Sequence, residues 1–186
     1  MSSMFETAPL PPLTLVLGGA RSGKSTLAER WVEAEAKRRG ATAIYLATGR
    51  AWDGEMEERI AIHKSRRGDL WETVEEPVAV ASLIPTLPAG RPVLLDCLTL
   101  WLTNQMLEER DAAAEAEALA EALAQAPGPV VCVSNEVGLG LVPETPMGRA
   151  FRDEQGRLNQ RIAAIAQRVV FTAAGLPLTL KSEIAR

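Results

Sequence analysis

The residues best suited to chemistry lie near the start of the chain, where residues 18–25 follow the pattern G-x-x-x-x-G-K-S. In a phosphate-binding loop (P-loop) of this spacing, glycines let the backbone turn its N–H groups toward phosphate oxygens. The lysine reaches the terminal phosphates, and the hydroxyl that follows it can ligate Mg²⁺. The pattern therefore predicts a nucleotide-binding loop, with Lys24 catalytic and Ser25 a metal ligand. Its residues are Gly18, Gly19, Ala20, Arg21, Ser22, Gly23, Lys24 and Ser25.

The segments on either side of this loop support the interpretation. Residues 13–17 form an apolar run of strand length, and a helical pattern begins at Thr26. The helix N-terminus would add partial positive charge beside the phosphates. The alternative is a glycine turn that precedes a helix by chance, which requires strand, loop, lysine, hydroxyl and helix all to coincide. We therefore expect a nucleoside triphosphate, ATP or GTP, to bind here.

A second candidate is Asp96, which ends the apolar run of residues 92–96. A carboxylate at the end of a buried strand is the pattern of a Walker B element, whose aspartate holds Mg²⁺. The alternative is an aspartate that caps the following helix, and the two roles are compatible. The P-loop upstream favours the metal role.

Size and charge limit the classes of function. A chain of 186 residues with 47% hydrophobic residues is enough for one α/β domain with a sizeable core. The net charge of −4 argues against a broad nucleic-acid surface, so no nucleic acid is expected as a partner. We expect residues 1–12 to be a flexible leader, residues 13–181 to form the domain and residues 182–186 to be a C-terminal tail.

The cellular location is predicted from the cysteines and from the lack of targeting signals. Cys97 and Cys132 are the only cysteines, and each lies in an apolar run, so packed thiols are favoured over a disulfide or a metal site. We find no apolar stretch of membrane-spanning length and no signal peptide pattern at the start. These features favour a cytoplasmic protein without a transmembrane segment.

The apolar pattern predicts an α/β fold, a single P-loop NTPase domain. Its mainly parallel sheet would have about seven strands and an antiparallel edge strand, with helices on both faces. The predicted strands are residues 13–17, 43–47, 71–74, 92–96, 130–135, 168–173 and 178–180. The predicted helices run from residue 26 to Gly40, from 54 to 65 behind an Asp53 cap, from 77 to 87, from 98 to 125 with a break near 110–111, and from 151 to 166.

Loops that leave the strands are the better candidates for ligand contacts, because ligands bind beyond the carboxyl ends of parallel strands. The loop after residue 47 should therefore open beside the P-loop. The glycine-rich stretch 136–147 is long for a connector and is a candidate substrate loop. In the helix that follows, Asn159 and Arg161 could face a subunit interface or a phosphate.

Three stretches together resemble one family. They are the P-loop, the segment from Glu55 and Met56 through Arg59 and Ile60 to His63, and residues 134–143, Ser-Asn-Glu-Val-Gly-Leu-Gly-Leu-Val-Pro. The family is the bifunctional adenosylcobinamide kinase / adenosylcobinamide-phosphate guanylyltransferase of cobalamin biosynthesis. The likeness extends from about residue 13 to residue 181 in the same order. A P-loop alone is generic, whereas the other two stretches make the match specific.

This resemblance implies two reactions. A triphosphate first phosphorylates the aminopropanol hydroxyl of adenosylcobinamide; GTP then guanylylates a histidine, and the corrinoid phosphate takes the GMP to give adenosylcobinamide-GDP, with release of pyrophosphate. The resemblance also implies a homotrimer. The matching histidine is His63. Besides the P-loop, the nucleotide contacts that carry over are Ala47, Thr48, Gly49, Lys64, Ser65, Arg66, Arg67, Glu75 and Asp96.

His63 suits the proposed chemistry, because neutral imidazole is nucleophilic at pH 7 and leaves phosphorus readily. By itself, a lone histidine on a charged helix is usually a solvated side chain; the resemblance favours catalysis. Some family members place two adjacent histidines here, whereas this chain has Ile62 before His63, so only one imidazole is available.

The other implied contacts also have simpler interpretations. Arg66 and Arg67 would clamp the guanylyl phosphate or the pyrophosphate, or would lie at a solvated helix end. Glu75 would accept hydrogen bonds from guanine or ribose, or would be a surface carboxylate. If the helix after residue 98 leaves the core, Trp101, Leu102 and Met106 are candidate interface residues.

Two other functions fit the P-loop. One is a small-molecule kinase without guanylyl transfer, which would not need His63. The other is a nucleotide-switched ATPase module, which would hydrolyse triphosphate in response to a macromolecule and would not act on a corrinoid alcohol.

Overall fold

A computed structural model describes residues 8–50 and 68–183. Within these ranges the strands form one seven-stranded sheet in the order β3-β2-β4-β5-β1-β6-β7, which is parallel except for the β6–β7 pair. The strands are β1 Leu13–Gly18, β2 Ala43–Ala47, β3 Trp71–Glu75, β4 Val93–Asp96, β5 Val130–Asn135, β6 Arg168–Ala173 and β7 Leu176–Ser182. The predicted sheet, with its antiparallel edge strand, is confirmed.

The helices begin and end at residues with the expected local chemistry. They are α1 Lys24–Arg39, α2 Val80–Leu83, α3 Leu98–Leu107, α4 Ala112–Ala124 and α5 Pro146–Ile165, with a 3₁₀ turn at Ile84–Thr86. Gly40 ends α1 in the left-handed conformation that glycine favours. The Asp111 carboxylate caps α4, which explains the predicted break near 110–111.

The sheet has a hydrophobic core on each side. Helix α1 covers one side, where Trp31 and Val32 pack with strand residues such as Val16. Helices α2 to α5 cover the other, where Trp101, Leu119 and Leu158 are among the buried residues. The expectation of helices on both faces is therefore confirmed, and P-loop helix α1 stands apart from the other described helices.

Some predicted boundaries are wrong. Helix α5 begins at Pro146 rather than 151, because Thr145 caps it through the Gly148 N–H. Residues 77–87 do not form one helix, since Pro85 lies within a 3₁₀ turn that follows the four-residue α2. Strand β7 extends to Ser182, beyond the predicted 178–180.

Two further expectations are corrected by packing. Trp101 and Leu102 lie on the buried face of α3 and are not available for an interface, because α3 packs on the core. Leu10 is not part of a flexible leader, since its side chain is buried and its N–H donates to Glu35 Oε2 at 3.2 Å. The predicted helix at 54–65 and its Asp53 cap lie outside the described residues.

Candidate active site

The P-loop connects β1 to α1 in the predicted order. Gly23 has φ +93°, in the left-handed region that only glycine enters without strain, and it directly precedes the first turn of α1. Lys24 Nζ donates to Gly19 O at 3.0 Å, so the ammonium lies across the loop. Arg21 also has a positive φ, and its side chain is exposed. The loop therefore combines a fixed backbone with a cation at its mouth.

The hairpin between β6 and β7 supports the loop from one side. Gly175 N–H donates to Ser22 O at 2.9 Å. A Cβ on Gly18 would lie 2.5 Å from Thr172 O, so the loop can approach β6 this closely only with glycine at that position. Sequence reasoning missed this contact, because the hairpin is about 150 residues away along the chain.

Asp96 lies at the end of β4, at the same edge of the sheet as the P-loop. Its carboxylate is partly buried, and Tyr45 Oη donates to its Oδ2 at 2.6 Å. Tyr45 was not predicted as a site residue; it lies on β2, two residues before the strand end. The hydroxyl holds the carboxylate in one orientation, so Asp96 is positioned as well as charged.

Thr48 lies beside Asp96 but is fully buried. Its Oγ1 donates to Cys97 O at 2.7 Å and accepts from Cys97 N–H at 2.9 Å. Its carbonyl accepts from Asn104 Nδ2 at 2.8 Å. The side chain of Thr48 thus joins the loop after β2 to the β4–α3 junction, with Ala47 and Gly49 on either side.

The register brings the predicted residues of β3, β2 and β4 into one row. Glu75 pairs with Ala47, and Ala47 pairs with Asp96. Strands β5 and β1 follow, so Glu75 lies four strand spacings from the P-loop strand, roughly 19 Å at about 4.8 Å per spacing. Glu75 is therefore too distant to contact a phosphate held by the P-loop.

The oxygen donors at this edge fit Mg²⁺. Asp96 supplies a carboxylate and Ser25, in the first turn of α1, a hydroxyl, and both are partly accessible. Within residues 8–50 and 68–183, no group of three or more His, Cys, Asp or Glu side chains could hold a metal. Mg²⁺ commonly takes only one or two protein oxygens and completes its shell with phosphate and water.

The cysteines do not provide a nucleophile for guanylyl transfer. Burial raises the pKa of Cys97 to about 12, and the adjacent Asp96 charge acts in the same direction. Burial likewise raises the pKa of Cys132. Both are free and buried, as predicted, and both remain thiols at neutral pH, whereas the thiolate is the reactive form.

The other residues implied by the resemblance are His63, Lys64, Ser65, Arg66 and Arg67, which lie outside the described residues. The described chain leaves the sheet after β2 at the carboxyl edge, where Arg50 pairs with Glu108 of α3. It returns at Gly68, whose carbonyl accepts from Trp71 N–H at 3.1 Å.

The two residues of α5 that were predicted to face a subunit interface or a phosphate both make contacts within the chain. Asn159 is buried and bonds Ser134 and Asn135 rather than facing solvent. Arg161 pairs with Glu117 of α4.

No described helix is long and apolar enough to cross a membrane.

Comparison with known proteins identifies relatives over most of the chain. The sequence model of the cobinamide kinase / cobinamide phosphate guanyltransferase family matches residues 14–180. The bifunctional adenosylcobalamin biosynthesis protein CobP of Pseudomonas aeruginosa is 51% identical over 172 residues, which cover 91% of this chain and 97% of the relative. The bifunctional adenosylcobalamin biosynthesis protein CobU of Escherichia coli is 36% identical over 185 residues, covering 91% and 99%.

Solved structures support the fold. The flagellar accessory protein FlaH of Methanocaldococcus jannaschii superposes with a TM-score of 0.53 at 15% identity, covering 94% of this chain and 80% of FlaH. Together with the loop and the sheet order, this likeness supports the predicted P-loop NTPase fold. At this identity it carries no information on activity.

Proposed function

The chain belongs to the cobinamide kinase / cobinamide phosphate guanyltransferase family, and from this premise we propose how its two reactions are divided among its residues. It is an enzyme of cobalamin biosynthesis. The first reaction phosphorylates the aminopropanol hydroxyl of adenosylcobinamide with ATP or GTP. The second transfers GMP from GTP through guanylylated His63 to the corrinoid phosphate, giving adenosylcobinamide-GDP and pyrophosphate.

The observation that carries this proposal is the joint position of the P-loop and Asp96 at the carboxyl edge of the sheet. Phosphoryl transfer needs placement and charge neutralisation more than covalent help. The loop N–H groups and Lys24 would hold the β- and γ-phosphates. Ser25 and Asp96 would hold Mg²⁺, which neutralises charge on the phosphate oxygens when bound.

The loop after β5 is proposed to face the corrinoid. Glu136 N–H donates to Gly18 O at 3.2 Å, so the loop starts against the P-loop. Leu139, Leu141 and Val142 are exposed although they are apolar. Exposed apolar side chains on a loop that begins beside the P-loop suit a large, partly apolar substrate whose hydroxyl must reach the γ-phosphate.

The oligomer and the location are proposed on the family likeness. A homotrimer would cover apolar residues on the edge strand β7, where Leu176, Leu178 and Leu180 are exposed. The use of nucleoside triphosphates and the two free cysteines fit the cytoplasm. Light scattering on the purified protein would measure the mass of the assembly.

Product analysis tests the central proposal. The purified protein is incubated with Mg²⁺, GTP labelled at the α-phosphate and adenosylcobinamide, and the corrinoid products are identified by mass. We expect both the phosphate and the GDP adduct, with label on the protein as an intermediate. Corrinoid phosphate without protein label would indicate a kinase alone. No corrinoid product would overturn the proposed function.

A further inference from the structure

Asn135, the last residue of β5, has no role in the function proposed above. Strand β5 lies between β1, which leads into the P-loop, and β4, which ends in Asp96. The register pairs Asn135 with Gly18, the first glycine of the loop. Asn135 therefore lies between the phosphate-binding loop and the proposed metal ligand, at the same edge of the sheet.

The side-chain alternation of the strands places Asn135 and Asp96 on one face. Val133 of β5 and Leu94 of β4 both belong to the core beneath α1. Because successive strand residues face opposite sides, the residues two positions further, Asn135 and Asp96, continue those rows. That is the face of α1, the helix that begins at the P-loop.

The backbone at the end of β5 is held by three hydrogen bonds, two of them made by Asn135. Its N–H donates to Thr99 Oγ1 at 2.8 Å, and its carbonyl accepts from Asn159 Nδ2 at 3.1 Å. The next N–H, of Glu136, donates to the Gly18 carbonyl. These contacts fix the strand end relative to α3, α5 and the P-loop.

Asn159 is itself held in a buried polar cluster. Its Oδ1 accepts from Ser134 Oγ at 2.6 Å and from Gln155 Nε2 at 3.0 Å, and all three side chains are buried. Gln155 Nε2 also donates to Ser134 Oγ at 3.0 Å. These hydrogen bonds, with that from Asn159 Nδ2 to the Asn135 carbonyl, connect α5 to the last two residues of β5.

The Asn135 side chain, in contrast, has an unused acceptor. Its Oδ1 is buried and has no hydrogen-bond partner among the described residues. Buried acceptors are nearly always paired in folded proteins, so an orphan next to a ligand site points to a donor on the ligand. A carboxamide also carries donors in the same plane, so it can bind a hydroxyl and a phosphate oxygen together.

We propose that the Asn135 carboxamide aligns the acceptor alcohol with the terminal phosphate during phosphoryl transfer, an inference that rests on the proposed kinase function. Oδ1 accepts the hydrogen bond of the alcohol, and Nδ2 donates to a γ-phosphate oxygen. The alcohol oxygen then bonds to the γ-phosphorus, the bond to the β–γ bridging oxygen breaks, the nucleoside diphosphate leaves, and the hydroxyl proton passes to solvent.

The test compares Asn135→Ala with Gln160→Ala, which removes an exposed carboxamide from α5 and serves as the matched control. Single-turnover phosphorylation of adenosylcobinamide should fall on the order of 100-fold in Asn135→Ala, the size expected for a group that binds the reacting atoms, and should be unchanged in Gln160→Ala. The GMP adduct on the protein should still form from GTP. In Asn135→Ala, the ratio of the binding affinity for a non-hydrolysable triphosphate to that for the diphosphate should decrease.

Asn135→Asp is a second variant that preserves the shape of the side chain. It loses the Nδ2 hydrogen-bond donor and adds a negative charge beside the phosphate, so the rate of phosphorylation should again be lower than in the wild type. Wild-type phosphorylation by either folded variant would overturn this inference and leave the kinase function intact. Equal loss of phosphorylation and GMP adduct would assign Asn135 a structural role instead. A wild-type protein that phosphorylates no corrinoid would refute both proposals.

Discussion

Lys24 is the side chain that can stabilise the negative charge that develops on the β–γ bridging oxygen as the phosphate is transferred. Its ammonium already lies across the loop, while Arg21, the other cation of the loop, is exposed. Lys24→Ala should reduce phosphorylation of adenosylcobinamide at least about 100-fold with the fold retained. Lys37→Ala, at the exposed end of α1, is the control. Normal turnover in folded Lys24→Ala would show that this loop is not catalytic.

Asp96 is expected to act through the metal. Asp96→Asn keeps the hydrogen-bonding shape but removes the charge, so Mg²⁺-dependent turnover should fall much more than nucleotide affinity, which depends on the loop. Titration of turnover with Mg²⁺, beside equilibrium nucleotide binding, separates the two quantities. Equal losses of turnover and of nucleotide affinity would instead indicate that Asp96 has a structural role at the β4–α3 junction.

Glu35 should make stability depend on pH. Its burial would raise the pKa, but hydrogen bonds from Arg38, Arg39 and the Leu10 N–H outweigh this and lower the pKa from 4.5 to about 2. The unfolded state therefore binds more protons between these values, so Glu35 stabilises the fold above about pH 4.5 and loses that contribution as the pH falls toward 2.

Urea denaturation across this pH range would measure the contribution of Glu35. The free energy of unfolding of the wild type should fall more steeply with acid than that of Glu35→Gln, which cannot titrate. Glu33→Gln, two residues away on the same helix and partly exposed, is the matched control. Parallel pH profiles for wild type and Glu35→Gln would contradict the assignment.

The residues that sequence alone could identify are those whose signal is local. The P-loop is eight consecutive residues, and Asp96 follows its own apolar strand. The contacts that position Asn135 come from Thr99 and Asn159, which are 36 and 24 residues away along the chain. A pattern of neighbouring residue types contains no information on such contacts, which depend on how strands are ordered in the sheet.

Among the elements, the loop after β2 is held to the β4–α3 junction by one buried hydroxyl, that of Thr48. Thr48→Val has nearly the same shape but leaves the buried Cys97 N–H without its partner. It also removes one of two hydrogen bonds to the Cys97 carbonyl, which still accepts from the Trp101 N–H. The free energy of unfolding should fall by about 2 kcal/mol or more, the usual loss when buried polar groups are left unpaired. Thr48→Ser keeps the hydroxyl and should lose less. Denaturant unfolding of the three proteins tests this, and wild-type stability in Thr48→Val would contradict it.

Elements were predicted best where a buried parallel strand gives a continuous apolar run. The bounds of β2, β5 and β6 match the prediction. The prediction failed at the start of α5, where the capping residues and the apolar periodicity disagree. The first turn of α5 contains Gly148 and lacks an apolar pattern. It is helical because Thr145 caps it and Pro146 occupies its first position. Residues 77–87 have the composition of a helix, but Pro85 has no backbone N–H to donate to a helical hydrogen bond.

For the whole molecule, topology places distant stretches at one edge of the sheet. The P-loop, the loop after β2, Asp96 and Asn135 all follow parallel strands, and their carboxyl ends lie together. The sequence indicated that such strands exist but not that β5 separates β1 from β4. The family likeness extends over nearly the whole chain, so both reactions are assigned to a single domain.

That arrangement leads to a prediction about how the two activities depend on each other. Only guanylyl transfer requires an enzyme-bound GMP, so His63→Ala should abolish it while phosphorylation of adenosylcobinamide continues. Wild-type protein incubated with GTP should gain the mass of one GMP, in an acid-labile adduct, and His63→Ala should not. Lys64→Ala is the control, since lysine would form a similarly labile bond. An adduct that persists in His63→Ala would place the nucleophile elsewhere, with Lys64 the first alternative. If both activities fall together in His63→Ala, His63 orients a nucleotide site that the two reactions share, and the separate roles proposed here are wrong.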